Sequence, residues 1–412
     1  MTSQVILGNG HGIALASDSA VTMGHRRTYE TSEKIYPLPR PHSVAVLHAG
    51  NVMFHGMPFS TIIDSWIESL GELQFRFLAD YVENFRKFLV EEVRGWCDIE
   101  QQSLDYVRNM DGEFQRIWNR LFDNGVAVSD EDALSIWKSE VDILSKLERY
   151  GQFSIGESHD FAERTQFERV WSQQTGGFDG IGNRIEYWFD DVPRSAEIDD
   201  LIKKFVQLSV SSHYPLSQEN YALLTFAGFG ARSMIPAAMR LELHGALNDS
   251  VQWDQSEPNY ARRDDGGFLL IELMGQTEAI ATFLRGYDVQ LIETIKSVSS
   301  GAFDDPIQTN DVDDELGQDA LSQTFMSAKN KLGEIIEGAF DSFGERNNLR
   351  SFRSTVAGMP LASLAATVKS LIQIQELSLE SRGYLPTVGG QVRVAVVTKS
   401  HGFKWVNAVE HH

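Results

Sequence analysis

MTSQVILGNGHGIALASDSAVTMGHRRTYETSEKIYPLPRPHSVAVLHAGN (residues 1–51) is the stretch whose reading decides the fold. Residues 4–7 and 13–17 are short apolar runs on either side of Gly8-Asn9-Gly10-His11-Gly12, a cluster of turn formers, and they predict a hairpin. A second pair, 34–36 and 43–48, flanks a turn broken by Pro37 and Pro41, so the stretch reads as a hairpin of hairpins. Ala49-Gly50-Asn51 then leads into an apolar stretch with helical periodicity.

Three residues of this stretch carry chemistry: Thr2, Asp18 at the end of one predicted strand, and Lys34 at the start of another. A methionine followed by a small residue is the usual substrate of methionine aminopeptidase, so Thr2 is expected to become the first residue and to own both a hydroxyl and a free α-amine. Such an amine titrates near pH ~8, so at neutral pH it takes the proton from the same residue's hydroxyl, directly or through a water. A nearby lysine lowers the amine's pKa by like-charge repulsion, and a carboxylate keeps that lysine charged and fixed. A backbone N–H from the glycine at position 50 suits an oxyanion donor.

The spacing Thr2, Asp18, Lys34, with GIALASDSAVT around the aspartate, TSEKI around the lysine and HAGN at the next turn, resembles a proteasome β-type subunit, a family of N-terminal nucleophile hydrolases with bacterial relatives. The resemblance implies Thr2 as nucleophile, Asp18 as the carboxylate that orients the lysine, Lys34 as the residue that tunes the amine, and Gly50 as oxyanion donor. It also implies His48 at the base of a substrate pocket with Val21 and Val52 as its walls. The implied fold is α+β, a four-layer αββα sandwich of two antiparallel sheets. Ring-like homo-oligomers and a peptide or protein substrate follow from the same resemblance, which leaves room for an ATPase partner and calls for no cofactor or metal.

Across 412 residues, 42% apolar content is ample for a core. The formal net charge of −22 argues against nucleic acid or an anionic membrane as partner. A single cysteine, Cys97, permits no intrachain disulfide and suits a reducing compartment. With no apolar run of ~18 residues and no signal peptide ahead of Thr2, a cytoplasmic location is expected.

Residues 58–70 and 75–93 read as two amphipathic helices, the first with Ser60 as its start signal and Gly71 as its stop. From 96 to 217 the chain is helical, acidic and aromatic, with Trp118, Trp137, Trp171 and Trp188 spread through it and a loop at 176–180, and it reads as an insertion. Strands are expected at 221–229, 236–247 and 267–274. Gly275-Gln276-Thr277-Glu278 then opens a helix with Thr277 as its N-cap. Residues 289–351 read as a second insertion; its acidic stretch 304–319 lacks the glycine and glutamate positions of a calcium loop and reads as solvated, and 320–343 as a long helix. A helix at 359–381 and the tail TVGGQVRVAVV followed by GFKWV resemble the end of the family's domain. The core thus comprises 1–95, 218–288 and 352–412.

The tail also departs from the family. An aspartate and a serine that support the nucleophile in the family are replaced by Leu385 and Val388, with Thr387 or Ser381 as candidate substitutes that spacing does not place. Three readings therefore stand: a threonine-type peptidase, a catalytically silent ring-forming or scaffold member of the fold, and a non-peptide amide hydrolase of the same superfamily. An α-type subunit, with an extra helix before the first strand, is not expected.

Overall fold

The computed structural model describes residues 2–23, 26–29, 33–123, 126–146, 167–172, 180–211, 221–247, 250–264, 267–301, 315–382 and 388–406. Met1, the loop at 176–179, the acidic residues 304–314, Leu385 and Thr387 lie outside them. The principal strands are β1 (Ser3–Asn9), β2 (Gly12–Ser17), β3 (Ile35–Pro37), β4 (Ser43–Gly50), β5 (Ala222–Phe229), β6 (Ala237–Leu247), β7 (Ser250–Gln255), β8 (Arg262–Asp264), β9 (Gly267–Gly275), β10 (Arg393–Thr398) and β11 (Gly402–Trp405). The helices used below are α1 (Phe59–Leu70), α2 (Leu78–Glu92), α3 (Ile99–Arg120), α4 (Asp130–Ser145), α5 (Ile181–Phe189), α6 (Ala196–Ser211), α7 (Glu278–Arg285), α8 (Val289–Gly301), α9 (Glu315–Gly344), α10 (Arg350–Gly358) and α11 (Leu361–Ser381). The protein is a mixed α and β chain built on antiparallel sheets. No helix among the described residues is long and apolar enough to cross a membrane.

The chain forms two compact units. The first takes residues 1–33, 261–397 and 404–412. Its sheet has the order β8-β9-β1-β2-β10-β11. β1 and β2 form the expected hairpin, with Gln4 opposite Ser17 and Asn9 opposite Gly12. Asn9 does more than turn the chain: its amide donates to the carbonyls of Val356 (2.9 Å) and Met359 (2.8 Å), which bolts the hairpin tip to the junction of α10 and α11. Val5, Leu7, Ala14 and Ala16 pack beneath Leu364, Val368 and Ile372 of α11. Residues of the opposite strand face, Ile6, Ile13 and Leu15, are fully buried too, which is why β1 and β2 read as continuous apolar runs rather than alternating ones.

The second unit takes residues 34–260 and 398–403. Its sheet runs β7-β6-β5-β4-β3, so the two N-terminal hairpins belong to different sheets. Val44 and Val46, Leu224 and Phe226, and Met239 and Leu241 share one face by their period of two and pack against Ile63 and Trp66 of α1 and Val82 and Phe85 of α2. α1 starts at Phe59 after Pro58, with no side-chain cap, so Ser60 is not its start signal. Pro58 takes the N-cap position in an extended conformation (φ −62°, ψ 136°). Gly71 ends the helix as expected.

Residues 96–211 of this unit carry a core of their own, in which Trp137 of α4 meets Phe189 of α5 and Phe205 of α6 edge-on. α3 is one 22-residue helix from its Asp98 cap, whose carboxylate accepts the Gln101 N–H. Of the principal strands, β7 and β8 escape the sequence reading, because their SVQWDQ and RRD sequences are the polar sequences of sheet edges.

Candidate functional site

In the first unit, the pairing of Gln4 with Ser17 sets Asp18 beside Ser3, one residue after Thr2. The Ser3 N–H donates to Asp18 Oδ1 at 2.9 Å, and the Asp18 N–H donates back to the Ser3 carbonyl at 3.2 Å. Asp18 is 1% exposed, and its Oδ2 accepts the Gly389 N–H at 3.3 Å. The Ser19 and Ala20 amides bind the Gly389 carbonyl at 3.2 and 3.0 Å. One buried carboxylate therefore joins the start of β1, the segment after β2 and the glycine pair ahead of β10, through bonds strengthened by its charge.

The other flank of Thr2 is held by β9. Ser3 pairs with Gly275, and the Gln276 N–H donates to the Thr2 carbonyl at 2.8 Å. Gly275 has φ +73°, and a Cβ there would sit 1.9 Å from the Thr2 carbonyl oxygen. Only glycine admits that approach. Thr277 occupies the N-cap position of α7, yet its hydroxyl makes no capping bond. The expected cap is replaced by Gln375 of α11, whose Oε1 accepts the Ala279 N–H at 2.9 Å while its amide donates to Glu278 at 3.2 Å. Val388, where the resembled family has a serine, is fully buried.

In the second unit, Lys34 precedes β3 and is 6% exposed, and its carbonyl accepts the His48 N–H at 2.9 Å. The His48 ring is 4% exposed and lies 4.8 Å from the Phe59 ring. Nε2–H donates to the Asn51 carbonyl at 2.8 Å, leaving Nδ1 without the proton. Burial pushes its pKa down to about 4; the Asn51 bond resists that shift and the Lys34 charge adds to it. His48 is thus a neutral, locked ring. Gly50 ends β4 at φ +81°, where a Cβ would come within 2.3 Å of the Tyr221 carbonyl. That carbonyl passes over Gly50 to accept the Asn51 N–H at 3.0 Å. Val52 is exposed. Val21 lies in the short strand Val21–Met23, and its side chain is outside the described residues.

Among the residues singled out from sequence, Thr2 and Asp18 share the first unit, and Lys34, His48, Gly50 and Val52 the second. No known family model matches the chain. No curated protein matches it either.

A further cluster in the second unit has no counterpart in the sequence reading. Met53–Phe54 and Met57–Pro58 pair across a two-residue turn in which His55 (φ +48°) and Gly56 (φ +79°) are both left-handed. This is type I′ geometry, for which His-Gly between short apolar pairs is a legible though faint signal. His55 Nδ1 and Asp105 Oδ2 of α3 lie 2.8 Å apart. The Ala246 N–H donates to His55 Nε2 at 2.6 Å. An amide donor on Nε2 leaves only Nδ1 to carry the ring proton, which it gives to Asp105. Burial pushes the Asp105 carboxyl up, but hydrogen bonds from His55 and Gln101 and the Arg108 charge outweigh it and hold the group below the usual carboxylate range.

Cys97 places its sulfur near these two side chains, with the three ligand-type atoms all within 4.8 Å of one another. A metal on Nδ1 needs that lone pair, and moving the proton to Nε2 sets it against the Ala246 N–H. His55, Asp105 and the Ala246 amide therefore form a hydrogen-bonded clamp holding the His55 turn to α3 and β6. Beside it opens a cavity of about 250 Å³, lined by His55, Asp105, Arg108 and Gly245 among others.

Proposed function

We propose that the protein is an N-terminal nucleophile hydrolase acting on amide bonds, a threonine-type peptidase in which Thr2 attacks the carbonyl once its amine is freed. Asp18 and Lys34 are assigned the electrostatic tuning of that amine, and the Gly50 N–H the oxyanion. The observation that carries this reading is the fixation of Thr2. Its carbonyl is bound by Gln276 across a glycine that no other residue replaces, and the next amide is bound by the buried carboxylate of Asp18. A terminal residue without a task has no need of such a seat; a nucleophile whose amine is also the base must be held to a fraction of an ångström.

The finer fold in this proposal is the four-layer αββα sandwich. Supporting it, each sheet has helices on one face, and the residues of the other face are buried as well. A peptide or protein substrate, ring-like homo-oligomers and an ATPase partner belong to the same proposal.

A second reading, a catalytically silent scaffold member, is favoured by Val388, a buried apolar residue at a position where the resembled family supports its nucleophile with a serine. An epoxyketone separates the two, because its ring adduct needs both the hydroxyl and the free amine of a terminal threonine. Intact mass and terminal sequencing after incubation should show a morpholine adduct on Thr2 that Thr2→Ala abolishes. Retained Met1, or a free Thr2 that never reacts, moves the assignment to the scaffold. With the adduct formed, turnover of short amides but not of peptides would favour the non-peptide hydrolase.

A further inference from the structure

We infer that the cavity beside the His55 turn is a binding site for a small organic monocarboxylate, with the Arg108 guanidinium as counter-charge and the Asn51 and Asn109 side-chain amides as further donors. The site lies wholly in the second unit and does not depend on the nucleophile proposed above.

Its walls are built rather than incidental. The turn that forms one side is left-handed at a histidine, a conformation that persists where surroundings enforce it. Here Asp105 and the Ala246 amide do so, at 2.8 and 2.6 Å. On another side β6 shifts register against β7 between Leu243 and Gly245, and such irregularities commonly border binding sites. Gly245 leaves open the space between the His55 ring, 3.6 Å from where its Cβ would lie, and the Gln252 amide oxygen, 3.9 Å from it. Gln252 is 2% exposed and its Nε2 is buried with no hydrogen-bond partner.

Charge and hydrogen bonding select the occupant. Asp105 has both carboxylate oxygens engaged, Oδ2 by His55 and Oδ1 by Gln101 at 2.9 Å and Arg108 at 3.3 Å. Both ring nitrogens of His55 are taken. Asp105 and His55 are therefore engaged within the wall, whereas the Arg108 guanidinium, which meets Asp105 through one nitrogen, and the Asn51 and Asn109 amides bring several N–H groups to it, and a carboxylate is a group they match. Met53, Phe54 and Leu243 supply an apolar side for a short aliphatic group. A volume of about 250 Å³ holds roughly eight waters' share of liquid, which sets the ligand at the size of a single acylated amino acid.

The test is isothermal titration calorimetry of the full chain with N-acetyl-L-alanine and with its uncharged methylamide. The acid should bind saturably and the methylamide should not. Arg108→Gln, at a half-exposed side chain, should weaken the acid by about tenfold or more, the loss of a charge-assisted bond. Asn109→Leu, which fills the cavity, should abolish binding, and Thr2→Ala should leave it unchanged. Absence of saturable binding to the wild-type chain, equal binding of acid and methylamide, or full affinity retained in both Arg108→Gln and Asn109→Leu would overturn the assignment.

Discussion

His48 makes the stability of the second unit depend on acid in a way that can be calculated. Its ring titrates near 6.5 when unfolded and is pushed down to about 4 in the fold. The folded state therefore refuses a proton that the unfolded state accepts. Above pH ~6.5 both states are neutral and the group exerts no pH dependence. As pH falls from 6.5 toward 4, the unfolded chain is protonated first, and stability drops by about 1.4 kcal/mol per pH unit. The difference of about 2.5 units amounts to roughly 3 kcal/mol, a large part of the stability of an ordinary domain. The assay is urea unfolding followed by tryptophan fluorescence. Seven of the eight tryptophans lie in the second unit, Trp405 being the exception, so the signal reports the unit that contains His48. His48→Gln keeps an N–H donor for the Asn51 carbonyl and cannot be protonated. The variant should be less stable than wild type at pH 7.5, and the gap should narrow by about 2 kcal/mol by pH 5. A gap that stays constant between pH 7.5 and pH 5 would refute the reasoning, since it would mean that His48 titrates alike in both states.

Gly275→Ala should destabilise the first unit by about 2 kcal/mol or more from its left-handed φ alone, and the clash at 1.9 Å from the Thr2 carbonyl should also displace Thr2. Thermal denaturation reads the first effect and loss of the epoxyketone adduct the second; a variant of unchanged melting temperature would show that the strand pair bends freely there. Asp18→Asn retains one acceptor for the Ser3 amide but turns an NH2 group toward the Gly389 N–H, 3.3 Å away. It should cost about 1–3 kcal/mol, seen as a lower urea midpoint at neutral pH, and wild-type stability in that variant would mean the carboxylate is not needed as a double acceptor.

Much of the framework was legible because it is written locally. The turn cluster between β1 and β2, the apolar runs of β5 and β9, and Gly71 at a helix end are short-range signals, and these elements lie within a few residues of expectation. What escaped is nonlocal. Nothing around Ser3 announces Gly275 as its partner, so Gly275 read as a helix opening rather than as the gap that admits the Thr2 carbonyl. Thr277 looked like a cap, but Gln375 was better placed to bind the amide. The two N-terminal hairpins are adjacent in sequence, and only the long-range pairing of β1 with β9 and of β3 through β4 with β5 assigns them to different sheets. His55 and Asp105 are fifty residues apart in sequence, and residues 96–217 read only as a helical, acidic and aromatic insertion.

The route of the chain through its two units has a consequence during synthesis. Apart from residues 398–403, the second unit is complete once residue 260 has been made, whereas the first waits for Gly389, which closes on Asp18. At about 5–20 residues per second, the 387 residues between Thr2 and Gly389 take roughly 20–80 s to translate. For that interval the seat of Thr2 lacks the Gly389 amide that closes on Asp18. Under the function proposed above, an aminopeptidase working on nascent chains would have this window in which to expose Thr2, and slowing translation would widen it.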